Sequence, residues 1–169
     1  MTAEKYLLSE ARLKRELEHM DQLEEELTQY GLLPTISTTN IGGFALNDTA
    51  TLRIIGSILQ DYYAAVENIF RAIATTIDQN LPTGEHWHKE LLLQMTLHID
   101  GLRYAVITPE TAHLLEPYRG FRPEFCNVYG THLAFDRMKK LLCRLSAMST
   151  ALRQDLTDFR QKMRQLYRL

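Results

Sequence analysis

The chain has 169 residues, 45% of them hydrophobic and 24% charged, with a formal net charge of −2. That length suits one domain able to bury roughly 70% of its unfolded surface, so no disulfide or metal staple is needed. The near-neutral balance excludes bulk electrostatic attraction to nucleic acid and leaves only a local basic patch to provide it.

From the N-terminus, MTAEKYLLSEARLKRELEH is charged throughout and has no apolar signal core. No stretch reaches the roughly 18 apolar residues of a membrane helix, so a cytoplasmic protein without membrane association is expected. Thr2 can cap a first helix in which Leu13, Leu17, Met20, Leu23, Leu27 and Tyr30 recur at spacings of three and four. Gly31 and Pro34 end it. Residues 32–47 carry little charge and include Pro34 and Gly42-Gly43; an irregular connection is favoured there over a short hairpin. Asp48 or Thr49 opens a second helix to about Asn80, whose apolar residues from Leu52 to Ile77 occupy more than one face, as a central helix requires. After the turn Leu81-Pro82-Thr83-Gly84, a third helix is expected from about Glu85 to Ile99. Thr108-Pro109-Glu110 is a strong start signal for a fourth, disturbed at Pro117 and Pro123 and ending near Tyr129-Gly130. Asp136 opens the last helix, with Met138, Leu141, Leu142, Leu145, Met148, Leu152, Leu156, Phe159, Met163 and Leu166 as its apolar positions.

No repeat or linker interrupts this series. Long helices joined by short turns predict an all-α antiparallel bundle of about five helices. A single domain over 1–169 is expected: an N-terminal helix over 1–31, a core over 48–145 and a C-terminal helix over 136–169. Met20, Met148 and Met163 read as core, while Tyr6, Leu7, Leu8 and the tail LYRL offer apolar surface to a second chain. Cys126 and Cys143 lack metal-ligand spacing and read as free thiols.

Bundles host many chemistries, so function must come from a site. The segment YRGFRPEFCNVYGTHLAFD (118–136), with LRIIGSILQDYYAAVENIFRAIA (52–74) and LPTGEHWHKELLLQM (81–95), resembles the HepT-like branch of the HEPN superfamily over residues 50–142. The superfamily's Arg-x4-6-His motif, extended to Arg-x4-His-x-Tyr in HepT-like members, falls on Arg122, Asn127 and Tyr129. Arginine and tyrosine match, and asparagine holds the histidine place. The resemblance implies a HEPN-like bundle and a toxin that cleaves RNA without metal or other cofactor. It also implies a homodimer whose two motifs face one cleft. Its partner would be a minimal nucleotidyltransferase antitoxin, which in some systems transfers AMP to the motif tyrosine, here Tyr129.

Metal-independent RNA cleavage moves a proton off the ribose 2′-hydroxyl and another onto the leaving 5′-oxygen, work that suits histidine. Arginine stabilises charge on the phosphorus through planar hydrogen bonds, the role expected of Arg122 with Arg119 as a further substrate-binding group. Asn127 does not titrate but can hydrogen-bond a phosphate or base. Pro123 biases Arg122 away from helical dihedrals, and Glu124 adds negative charge where phosphate would dock. Two alternatives follow. One is a catalytically inactive homologue that binds RNA or a protein. The other is a di-metal carboxylate bundle using the Glu-x-x-His pairs Glu16/His19, Glu85/His88 and Glu110/His113.

Overall fold

A computed structural model describes the backbone of residues 3–127 and 131–169, and the side chains of residues 4–121 and 135–169. Thr2, Tyr129 and Gly130 lie outside the described residues.

Helix α1 spans Ala3–Gln29. Gly31, at φ +70°, turns the chain left-handed behind it. The Leu32 amide then bonds the Leu27 carbonyl at 2.9 Å and the Gly31 amide that of Thr28 at 2.9 Å. This is the Schellman arrangement, which satisfies carbonyls that a helix end otherwise leaves bare.

Strands β1 (Asn40–Ile41) and β2 (Phe44–Ala45) pair antiparallel, so the connection is a hairpin and the expectation of an irregular segment is corrected. The reason is Gly42-Gly43: both have positive φ, as the favoured two-residue hairpin turns demand. Strands of two residues are too short to show alternation.

Helix α2 spans Thr49–Ile73 and continues as a π-helical turn over Ala74–Asp78. The Asp48 carboxylate caps it, accepting from the Ala50 amide at 2.8 Å. As expected of a central helix, α2 packs on α1 and on the three helices that follow: α3 (Trp87–Met95), α4 (Pro109–Asn127) and α5 (Thr131–Tyr167).

α3 stops one turn earlier than the expected Ile99. The Arg103 guanidinium donates to the Gln94 carbonyl at 3.0 Å and to that of Leu97 at 2.6 Å, occupying acceptors at the helix end. The Ile99 amide turns instead to the Arg103 carbonyl at 2.8 Å.

α4 begins as predicted. The Thr108 hydroxyl accepts from the Thr111 amide at 3.2 Å, and Asp155 accepts from the Thr108 amide at 2.7 Å. It then runs unbroken through Pro117 and Pro123, which corrects the expected disturbance and leaves Arg122 helical. Each proline costs about 3 kcal/mol inside a helix. Burying Leu115, Tyr118 and Phe121, each contributing about 1.5–3 kcal/mol, offsets a cost of that size. α5 starts at Thr131, a turn before the expected Asp136, because its apolar stripe already begins with Phe135 packed on the core.

Side chains from all five helices meet in one hydrophobic cluster. α1 and α5 lie antiparallel: Glu10 pairs with Arg160 at 3.1 Å and Arg164 at 2.8 Å, while Glu24 lies against Ser149 at 2.6 Å. Met20, Met148 and Met163 are core, as expected. Tyr6 is corrected from pairing surface to core, since it is buried and stacked on Tyr167 at 5.6 Å, whereas Leu7, Leu8, Leu166 and Leu169 are exposed. Among the described residues no helix is long and apolar enough to cross a membrane.

Candidate functional site

Arg122 and Asn127 of the motif sit on the last turns of α4, and burial of neighbouring residues orients that helix. The Tyr118 hydroxyl donates to the Leu141 carbonyl at 2.8 Å, pinning α4 to α5, and burial raises the Tyr118 phenol above its usual range. Phe121 is buried beside it. Gly120 lies between them. A Cβ there would stand 3.6 Å from the Arg137 Nη2, so the α5 guanidinium rests over α4 at the head of the motif. Sequence reasoning missed Arg137. Its only signal is the small residue in YRGF that leaves room for it.

Arg119 is on the same stretch, and its guanidinium grips Glu116 one turn back, Nε to Oε2 at 2.8 Å and Nη2 to Oε1 at 2.5 Å. Hydrogen bonding from Arg119 holds the Glu116 carboxyl below its ordinary value against the opposing effect of burial. Lys89 of α3 adds positive charge within electrostatic reach of Glu116. A cleft of about 300 Å³ opens there between α3 and α4, with Lys89, His113 and Glu116 around a floor of Leu92 and Ala112. The expected phosphate ligand Arg119 is therefore engaged by a carboxylate.

Arg122 lies one turn beyond Arg119, and Asn127 is the final residue of α4. On a regular helix five residues separate their backbones by about 7.5 Å along the axis and about 140° around it. Their side chains, like that of Cys126, lie outside the described residues, and so does all of Tyr129. Cys143 is a free, exposed thiol.

A second polar constellation was not legible. On α2, Tyr63 is buried. One turn on, the buried Glu67 carboxylate is hydrogen-bonded through Oε2 to Nδ1 of His88 on α3. The Trp87 ring stacks on His88 with centroids 3.6 Å apart, and the Arg71 guanidinium sits 5.5 Å from the Trp87 centroid. Tyr63 and Glu67, four apart, share a face of α2.

The Glu-x-x-His pairs do not assemble. His88 turns to Glu67 rather than Glu85, Glu16 lies against Asn68 at 3.4 Å, and Glu110 and His113 are exposed. Asp78 is committed to Arg103. Among the described residues no three histidine, cysteine, aspartate or glutamate side chains group as a metal site, so the di-metal alternative finds no ligand set there.

A family model described as HepT-like protein matches residues 54–163. The match takes in most of α2, all of α3 and α4 with the motif, and all but the end of α5. Comparison with curated proteins and with solved structures returned no match.

Proposed function

Because the chain belongs to the HepT-like family, we propose that it is the toxin of a cytoplasmic toxin–antitoxin pair, a metal-independent endoribonuclease working as a single-domain homodimer. Arg122 neutralises the phosphate undergoing transfer. Asn127 donates a hydrogen bond to a phosphate oxygen, Arg119 binds the strand once RNA competes with Glu116, and Tyr129 accepts AMP from a nucleotidyltransferase antitoxin.

The observation that carries this reading is the family match, whose span includes the whole motif helix. Two basic groups near the motif helix support it: Arg137 approaches Gly120, and Lys89 lines the cleft between α3 and α4. Such a local patch suits a polyanion even in a chain of net charge −2.

The test is cleavage of total RNA in EDTA by the purified protein and by Arg122→Ala. The expected result is cleavage by the wild type and a loss of about 10²–10³-fold in the variant. An unmodified, folded wild type that leaves RNA intact sinks the reading.

A second reading, an inactive homologue that binds RNA or a protein, is favoured by Asn127 at the histidine position and by the Arg119–Glu116 pair. It predicts retention of RNA or a partner without cleavage.

A further inference from the structure

Arg12 and Arg15 of α1 and Arg71 of α2 line a cleft of about 320 Å³ between the two helices. We propose that this cleft binds the phosphates of a single RNA strand, as a contact surface that uses no residue of the α4 motif. The choice of RNA rests on the ribonuclease reading above; the anion chemistry rests on the cleft itself.

The charge in the cleft is left over after its own pairing. Glu16, whose side chain is 14% exposed, pairs with Arg15 at 3.5 Å and accepts from the Asn68 amide at 3.4 Å. It cancels one cation and holds two donors in place. Arg103, Arg119, Arg153, Arg160 and Arg164 each grip a carboxylate, but among the described residues no ion pair of that kind engages Arg12 or Arg71. Arg71 is held instead by an aromatic ring, its guanidinium 5.5 Å from the Trp87 centroid. Such a contact orients a cation without neutralising it, so its charge stays available to an anion.

The other lining groups point to phosphate rather than to a protein. The Asn68 amide and the Thr75 hydroxyl add donors, and Ala72 is the one apolar side chain among the lining residues. A protein partner is anchored by a buried apolar or aromatic group in a fitted pocket, and this cleft offers no apolar floor for one. Phosphate oxygens accept hydrogen bonds, and guanidinium forks match them. The donors also form rows. Arg12 and Arg15 are one turn apart on α1, as Asn68 and Arg71 are on α2, about 4.5 Å along each axis. A row of donors in a groove tracks a strand, which is how single strands are bound without regard to sequence. One wall of the cleft comes from α1, which precedes the matched residues 54–163, so the site is not carried over with the family.

The experiment is fluorescence anisotropy of a labelled single-stranded 2′-O-methyl RNA oligonucleotide, whose blocked 2′-oxygen prevents cleavage, titrated with the full chain over a range of salt. The wild type is expected to bind, more weakly as salt rises. Arg12→Ala/Arg71→Ala should bind roughly tenfold more weakly, with a slope of log K against log salt shallower by about 1.4, two phosphate contacts at about 0.7 each. Arg53→Ala/Lys162→Ala removes the same charge from exposed positions outside the cleft and should leave the slope unchanged. Arg12→Lys/Arg71→Lys keeps the charge and should restore most of the slope, which a loss of fold would not allow. Equal losses in the cleft and control variants, or a wild type that does not bind the strand, overturn the proposal. Cleavage of total RNA in EDTA by the same wild-type preparation separates the two readings. Cleavage without cleft-dependent binding overturns this proposal alone. Cleft-dependent binding without cleavage upholds it and sinks the ribonuclease reading.

Discussion

Arg103, in the loop after α3, grips Asp78 at the end of the π-helical turn of α2, Nε to Oδ1 at 2.6 Å and Nη2 to Oδ2 at 2.8 Å. Both side chains are buried, 0% and 3% exposed. The remaining guanidinium donors bond the carbonyls of Gln94, Leu97 and Tyr104, so the arginine is satisfied from several sides. Removing one partner of such a pair strands the other charge away from water. Arg103→Leu is therefore expected to destabilise the protein by about 3–5 kcal/mol in urea unfolding. A loss below 1 kcal/mol would mean that the pair contributes no more than a surface bridge.

Glu24 joins three helices, accepting from the Tyr62 hydroxyl at 2.6 Å, the Ser149 hydroxyl at 2.6 Å and Arg153 Nη2 at 3.2 Å. Burial pushes its carboxyl up, but hydrogen bonds from Ser149, Tyr62 and Arg153, with the Arg153 charge, outweigh it and hold the group below its usual value of 4.5. A depressed carboxylate contributes stability that is present above pH 4.5 and lost as pH falls through the lower, folded value. Glu24→Gln should cost about 1–3 kcal/mol at neutral pH and flatten the acid side of the stability curve. Denaturant titrations of both proteins between pH 3 and 7 check this, and parallel curves would count against it.

Gly31 combines a positive φ with a tight surrounding. A Cβ there would stand 3.1 Å from Ser37 Oγ and 3.3 Å from Thr38 Cβ. Gly31→Ala should lower stability by about 1–2 kcal/mol from the left-handed backbone alone, read as a drop in Tm. An unchanged Tm would show that the α1 cap relaxes freely.

What the sequence revealed follows from the range of each signal. The α1 stripe from Leu13 to Tyr30, the Asp48 cap and Thr108-Pro109 are local patterns, and each marks its element to within a turn or so. Pro117 and Pro123 are local signals too, but they are overruled by packing of Tyr118 and Phe121, which local pattern cannot weigh. Arg103–Asp78 and Glu67–His88 join residues 25 and 21 positions apart, with no spacing rule to announce them. From the sequence, His88 pairs only with Glu85, three residues before it. For the motif, pattern named Arg122, Asn127 and Tyr129 and the family match covers them. The restraint of Arg119 by Glu116 and the approach of Arg137 to Gly120 are three-dimensional facts.

Restoring histidine at the motif tests how far position 127 limits the chemistry. Asn127→His should raise cleavage by the 10²–10⁴-fold, roughly, that a positioned acid–base group contributes. Single-turnover rates of the two proteins on one oligonucleotide in EDTA measure it. Equal rates would show that position 127 lies outside the proton path.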